Sequence, residues 1–177
     1  MKWLANLLWK QKLKKVSRKV KTHNFDSART AIILYDCSTE GKEKEGRDFA
    51  RFVKEHSIEV TTLAFFNKKG KQVQKPKDEL SYHYLEPKDL NWLQTPNTKV
   101  AQSIMSTEYD LLFDLNLEGH FCLQYVAGLS KASCKVGASG AYRDQVCDLT
   151  LKVDLESRAQ LIQEIKKYLA IINKKTA

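Results

Sequence analysis

The sequence predicts an α/β fold: a single Rossmann-like domain whose mostly parallel sheet is flanked by helices, preceded by an N-terminal basic amphipathic helix. Two observations support this fold class. From residue 30 onwards, short apolar runs suited to buried strands alternate with charged segments of helical periodicity. The length of 177 residues suits one domain of ordinary size. We therefore expect a helix at 1–22, a hinge at 23–29 and an α/β domain at 30–177.

The predicted N-terminal helix has two parts with different apolar patterns. Trp9 is followed at helical spacing by Leu13, Val16 and Val20, which predicts one apolar stripe. The tip of the helix is apolar almost all round, because further large side chains lie opposite Trp9. The apolar anchor predicted at this tip consists of Trp3, Leu4, Leu7, Leu8 and Trp9. Such a tip must be buried against another surface.

The formal charge of +9 is concentrated at the N terminus. Residues 1–25 contain eight Lys or Arg and no acid, which leaves 22 basic and 21 acidic residues in the rest of the chain. This asymmetry is typical of a segment that docks on nucleic acid or on an anionic membrane. A lysine-rich loop at 68–77 is either a solvated loop tip, which is the simpler interpretation, or a second cationic contact that works with the helix. The predicted anion-binding residues are Lys10, Lys12, Lys14, Lys15, Arg18, Lys19, Lys21, Lys68, Lys69 and Lys71.

The first half of the domain contains three predicted strands and two predicted helices. The run TAIILY at 30–35 is continuously apolar, as expected for a strand buried on both faces. A charged segment at 43–56 places its apolar residues on one helical side. A β-rich run at 58–66 and a short strand at 81–85 follow. After a turn region, a helix is expected at 98–105.

In the second half of the domain, predicted strands and helices alternate again. The run YDLLFDLN at 109–116 predicts another buried strand, followed by a helix at about 120–130. A short strand at 134–136 ends at Gly137. The last pair is a strand at 148–153 and a helix at 157–173, which has the strongest helical periodicity in the chain. Short connections between alternating elements favour parallel strands with right-handed crossovers.

Loops after the strands are the candidate ligand site, because ligands bind beyond the carboxyl ends of open parallel sheets. The residues expected at this edge are Asp36, Ser38, Asp114, Gly119 and Gly137. We interpret Asp36 and Ser38 as helix-capping residues. Backbone N–H groups near Gly119 and in the G-A-S-G segment from Gly137 could meet a phosphate, but we favour the interpretation that both segments are turns that use glycine.

Several catalytic and cofactor motifs are absent from the sequence. A cysteine phosphatase needs an arginine six positions after Cys37, where Glu43 stands, and a dehalogenase-type nucleophile needs an aspartate where Ser38 stands. The sequence has no Gly-rich dinucleotide fingerprint and no phosphate-binding P-loop. The four histidines are scattered singly and show no ligand spacing with carboxylates or cysteines. We therefore expect no metal and no cofactor.

The four cysteines, Cys37, Cys122, Cys134 and Cys147, show no C-x-x-C spacing, which favours buried free thiols in a reducing cytosol. The apolar stretch at 3–9 is too short for a membrane span and lacks a cleavage site, so we expect it to be retained. The expected localisation is cytoplasmic, which leaves peripheral association with the inner membrane open.

Two resemblances involve the segments YDLLFDLN at 109–116 and LSKASCKVGASG at 129–140. Over most of the chain, the order of elements, the basic start and the closing KKYLAIINK look like an uncharacterised bacterial family of about this length, a domain of unknown function. Residues 109–140 locally resemble the acceptor-side half of heptosyltransferase-like glycosyltransferases. Those enzymes use a second Rossmann-like domain and a Gly-Asp turn where this chain has Asp36 and Cys37. The resemblance therefore implies a fold and argues against catalysis.

Three functional hypotheses follow from these observations. The leading one is a non-enzymatic module that docks on an anionic surface, first the inner face of a membrane, through its basic helix. The second is a ribosome- or RNA-associated protein that uses the same helix and the loop at 68–77. The third is a small enzyme, or a degenerate glycosyltransferase-like domain, that binds a phosphorylated small molecule at the sheet edge.

Overall fold

The fold is known from a computed structural model that describes residues 2–67, 75–154 and 156–172. It contains a six-stranded sheet in which every strand pair is parallel, in the order β3-β2-β1-β4-β5-β6. The strands are β1 (Thr30–Asp36), β2 (Glu59–Phe65), β3 (Tyr82–Leu85), β4 (Leu111–Asp114), β5 (Cys134–Ala138) and β6 (Leu149–Leu151). The predicted α/β, Rossmann-like class is confirmed. Strand order reverses between β1 and β4, and this pair is the topological switch point of the sheet.

Helices cover both faces of the sheet, and the predicted strands and domain helices are all present with small shifts at their ends. The helices are α1 (Lys2–Leu13), α2 (Lys42–Lys54), α3 (Lys99–Ser106), α4 (Phe121–Leu129), α5 (Arg143–Val146) and α6 (Arg158–Ile171), with a 3-10 turn at Pro87–Asp89. Thr98 and Ser157 cap α3 and α6 by accepting hydrogen bonds from backbone N–H groups. The short α5 has too few residues to show helical periodicity, and the sequence did not predict it.

The continuous apolar character of β1 follows from two separate cores. Alternate side chains of a strand point to opposite faces of the sheet. Ala31, Ile33 and Tyr35 join the core under α2 and α6, whereas Ile32 and Leu34 join the core under α1, α3 and α4. Every apolar position of the strand is therefore buried.

The N-terminal helix is shorter than predicted. It ends at Leu13, and residues 14–29 contain turns but no further helix. This segment runs along the amino-terminal edge of the sheet, where Lys21 N–H donates to the Ser133 carbonyl at 3.1 Å. The predicted stripe therefore stops early, and Val20 is 62% exposed. Arg18 and Lys21 form hydrogen bonds with the loops before β5 and β6. These bonds take the place of the helical hydrogen bonds that the apolar periodicity predicted.

The segment at 23–29, predicted as a hinge, begins with buried residues. Phe25 is 4% exposed and packs in the core against Phe52 and Phe113. The Asn24 side-chain amide donates to the Ile172 carbonyl at 2.9 Å, just after α6. The segment is a partly buried connector that carries the chain from one face of the sheet to the other.

Helix α1 docks on α4 through a contact that requires glycine. Trp9 is 1% exposed, and a Cβ atom added at Gly128 would lie 2.7 Å from the indole Nε1. Replacing Gly128 with alanine should lower the free energy of unfolding by about 1–3 kcal/mol, because the indole ring has no space to move. Chemical denaturation measures this change.

A matched background tests the cause of this loss. In a protein that already carries Trp9→Ala, the Gly128→Ala substitution should cost much less, because the clashing ring is gone. Equal costs in the two backgrounds would show that the indole contact is not responsible.

Candidate functional sites at the N-terminal helix and the sheet switch point

Helix α1 has two apolar faces with different surroundings. Ala5 and Trp9 are buried against the domain, whereas the opposite face is exposed to solvent. On this outer face Trp3 is 75%, Leu7 40% and Leu8 36% exposed, and Leu4 is partly exposed. Four of the five predicted anchor residues therefore share one surface, which we call the outer face of α1. Trp9 does not belong to it, because the domain's own core buries its ring.

Some of the predicted anion-binding cations are paired within the fold, and others are exposed. Arg18 is committed to the fold: its guanidinium donates to both Asp148 carboxylate oxygens, at 2.6 and 3.0 Å. Lys12 donates to the Tyr125 hydroxyl at 2.8 Å. Five other lysines are exposed and make no ion pair with the described residues: Lys10, Lys14, Lys15, Lys19 and Lys21. Lys68, Lys69 and Lys71 lie outside the described residues.

At the switch point, Asp36 ends β1 and is 2% exposed. Its carboxylate accepts from the Ser38 hydroxyl at 2.5 Å and from the Ser38 N–H at 3.2 Å. The Ser38 oxygen in turn accepts from the Asn67 N–H at 2.9 Å. Neither residue caps α2, which begins after Gly41 without a side-chain cap, so the helix-capping interpretation is wrong.

His120 meets this carboxylate from the other side of the switch point. Its Nε2 lies 3.0 Å from Asp36 Oδ1, although the ring N–H does not point along this line. Burial opposes the ionisation of Asp36, but the contacts from His120 and Ser38 outweigh it and lower its pKa. The histidine ring also packs against Phe65, with 4.6 Å between the ring centres. Sequence spacing gave no sign of this pair, because Asp36 ends β1 whereas His120 follows the loop after β4.

A second buried carboxylate fixes the loop that carries His120. Asp114 accepts from the Tyr142 hydroxyl at 2.7 Å and from the Asn116 N–H at 3.0 Å. The Asn116 side chain accepts from the His120 N–H and donates to the His120 carbonyl. Burial raises the pKa of Asp114 to about 6, even though these two hydrogen bonds lower it. Asp114 is fully enclosed, so it supports the switch point and does not face a ligand.

The remaining predicted edge residues are placed differently. Gly119 has a φ of +73°, and this left-handed turn between β4 and α4 favours glycine. Gly137 lies inside β5, not in a loop, and an added Cβ would meet the Cys147 sulfur at 3.1 Å. It is a close-packing position and does not reach the ligand edge.

A groove of about 620 Å³ opens beside His120. Gly119 and His120 line it together with the start of α1 and the loop after β3, at Leu90 and 92–94. Of the five predicted edge residues, only Gly119 lines the groove directly. The sequence offered one overlooked signal, a histidine placed directly after the strand-end loop at the centre of a parallel sheet.

Metal and membrane-spanning features are absent from the part of the chain that the structure describes. No group of three or more His, Cys, Asp or Glu side chains there could hold a metal ion. None of its helices is long and apolar enough to cross a bilayer.

Comparison with known proteins places the whole chain in one family. A family of unknown function (DUF6913) matches residues 2–172, which include α1, the connector and the α/β domain. No curated protein and no solved structure matches the chain significantly. These comparisons give no support to the heptosyltransferase-like resemblance of residues 109–140. The chain thus belongs to DUF6913, a family of unknown function.

Proposed function

We propose that this protein docks on an anionic membrane surface through the outer face of α1 and the lysines next to it. The observation that carries the proposal is the second apolar face of this helix. Because Trp9 already fixes α1 to the domain, the packing of the domain does not explain Trp3, Leu7 and Leu8. Large apolar side chains left in water beside cations are typical of helices that lie in a membrane interface.

The chemistry of this surface fits a lipid interface. Tryptophan is enriched at the boundary between lipid headgroups and acyl chains, and leucine side chains enter the acyl region. Lys10 and Lys14 follow on the same helix and the turn after it, and both are exposed. Each lysine close to an anionic leaflet contributes about 1 kcal/mol of attraction. Docking would leave the buried contact of Trp9 intact, so it requires no unfolding of the domain.

Ribosomal RNA is the competing partner, because phosphates also attract these lysines. Counterion release by phosphate contacts makes no use of Leu7 or Leu8. The exposed apolar face therefore favours the membrane. The two partners differ in salt dependence, because burial of apolar side chains persists when salt screens the charges.

Co-sedimentation with vesicles tests this proposal. The full chain should bind phosphatidylcholine vesicles that contain phosphatidylglycerol more tightly than vesicles of phosphatidylcholine alone, and should retain part of this binding in high salt. The double variant Trp3→Glu and Leu7→Glu should bind at least about tenfold more weakly, because burying a single leucine contributes about 1.5–3 kcal/mol. Its free energy of unfolding should stay close to that of the unmodified protein, because both residues are exposed.

The matched control is Leu80→Glu, which changes another apolar residue that is 98% exposed. This variant should bind vesicles almost as well as the unmodified protein. An equal loss in the control would contradict a specific role of α1. Tight binding to purified ribosomes without binding to vesicles would also overturn the proposal, as would a stable dimer that buries Trp3 in the absence of lipid.

A further inference from the structure

We infer that the groove at the switch point binds a neutral, planar heteroaromatic molecule of about the size of a nucleoside. The groove lies next to the point where strand order reverses between β1 and β4, at the carboxyl-end edge that ligands prefer in open parallel sheets, and Phe65 at the end of β2 and His120 after β4 line it. Its volume of about 620 Å³ is within the range of small-molecule sites. This inference is independent of membrane docking, because it rests on other residues.

The walls of the groove provide a surface for stacking a planar ring. Trp92 lines it and is 63% exposed, so its indole face is available to a ligand. Phe65 and Phe121 line the same groove, and Phe65 is held in place by its contact with the His120 ring. Stacking of bases on aromatic side chains is a common mode of binding for planar heteroaromatic rings.

The polar lining of the groove favours a neutral ligand with several hydrogen-bonding atoms at its edge. Three side-chain amides line it, those of Asn6, Gln94 and Gln124. Gln124 Nε2 donates to Asn6 Oδ1 at 3.4 Å, and each of the three amides has further hydrogen-bonding capacity for a ligand. The charged residues of the lining, Lys2 and Glu118, have opposite signs. A ligand with a net charge would meet one attractive and one repulsive group. Neutral molecules with paired donors and acceptors avoid this conflict.

His120 is the positioned hydrogen-bonding residue of the site. The Asp36 carboxylate faces Nε2, so Nδ1 is the ring nitrogen that remains for a ligand. Within the described part of the chain, no hydrogen bond occupies Nδ1. The backbone of His120 is fixed by Asn116, and its ring is fixed by Asp36 and Phe65. A rigid ring nitrogen beside an aromatic wall suits a polar atom at the edge of a planar ligand.

Ligand-detected NMR on the full chain tests the inference with four nucleosides: adenosine, guanosine, cytidine and uridine. At least one of them should bind saturably and compete with the others, while ribose alone should not bind. Trp92→Ala should weaken this binding at least tenfold, and it should not disturb the fold because the side chain is exposed. His120→Phe should also weaken it, because the ring nitrogen Nδ1 is lost while an aromatic ring remains next to Phe65.

A matched tryptophan separates this site from the membrane surface. Trp3→Ala should leave nucleoside binding unchanged while it weakens vesicle binding, and Trp92→Ala should do the reverse. Absence of saturable binding by all four nucleosides would overturn the inference. Binding that survives Trp92→Ala would do the same. A nucleoside monophosphate that binds far more tightly than its nucleoside would show that the site is made for an anion instead.

Discussion

Replacing Trp9 with alanine should lower the free energy of unfolding by about 3–5 kcal/mol, whereas the same change at Trp3 should alter it by less than about 0.5 kcal/mol. The two tryptophans are on the same helix and differ in burial, at 1% and 75% exposed. Trp9 contacts Gly128 and meets the Tyr142 ring edge-on, with 6.3 Å between the ring centres. Its removal opens a cavity between α1 and the domain. Urea denaturation followed by circular dichroism measures both changes.

Trp9→Phe provides a control for ring size. The indole N–H of Trp9 is buried and has no hydrogen-bond partner among the described residues, so phenylalanine removes an unsatisfied donor while it keeps an aromatic ring. This variant should lose much less stability than Trp9→Ala. Equal losses for Trp3→Ala and Trp9→Ala would mean that the outer face of α1 is buried in solution and would weaken the membrane proposal.

The stability of the protein should depend on pH through Lys135, a buried lysine in β5. Its side chain is 1% exposed and donates to the Ala127 and Gly128 carbonyls at 2.8 and 3.0 Å. Burial and the nearby positive charge of Arg18 lower its pKa from the ordinary 10.5 to about 7, while Cys147, Asp148 and Asp114 act in the opposite direction. At pH values between about 7 and 10.5, Lys135 is protonated in the unfolded chain and unprotonated in the folded protein.

Unfolding takes up a proton on Lys135 between about pH 7 and 10.5, so a rise in pH stabilises the folded state. This single group contributes up to about 1.4 kcal/mol per pH unit in that interval. Below pH 7 the group is protonated in both states, and its contribution stays constant.

Lys135→Met isolates this contribution. Buried thiols and tyrosines lose their protons more readily in the unfolded chain and lower stability at high pH, but they are present in both proteins. The difference in free energy of unfolding, unmodified protein minus variant, should therefore rise steadily from pH 7 to pH 9. Denaturation at several pH values measures it. A flat difference would show that Lys135 keeps its proton in the folded protein.

Most of the secondary structure could be predicted from the sequence, because it depends on local patterns. The run at 30–35 is apolar at every position, which indicated a central strand before any partner was known. The separation of Trp3, Leu4, Leu7 and Leu8 from Trp9 on the helix was also visible from spacing alone. The end of α1 was not predictable in this way, because the hydrogen bonds of Arg18 and Lys21 to distant loops determine it.

The candidate ligand site was likewise only partly predictable from the sequence. The rule for parallel sheets directed attention to the loop after β1 and to Gly119, but His120 looked like an isolated histidine. Asp36 and His120 are 84 residues apart in the sequence and meet only because β1 and β4 are neighbours at the point where strand order reverses. Asp114 and Gly137 had to be reassigned from ligand contacts to internal support.

The sequence by itself determined the alternation of strands and helices, the cationic N terminus and the two apolar faces of α1. Each of these depends on residues within a few positions of one another, where backbone geometry alone sets the spacing. Only the tertiary structure decided which face of α1 is buried, which cations are paired and which histidine meets a carboxylate. These outcomes depend on contacts between distant segments, which form when the sheet and its helices pack together.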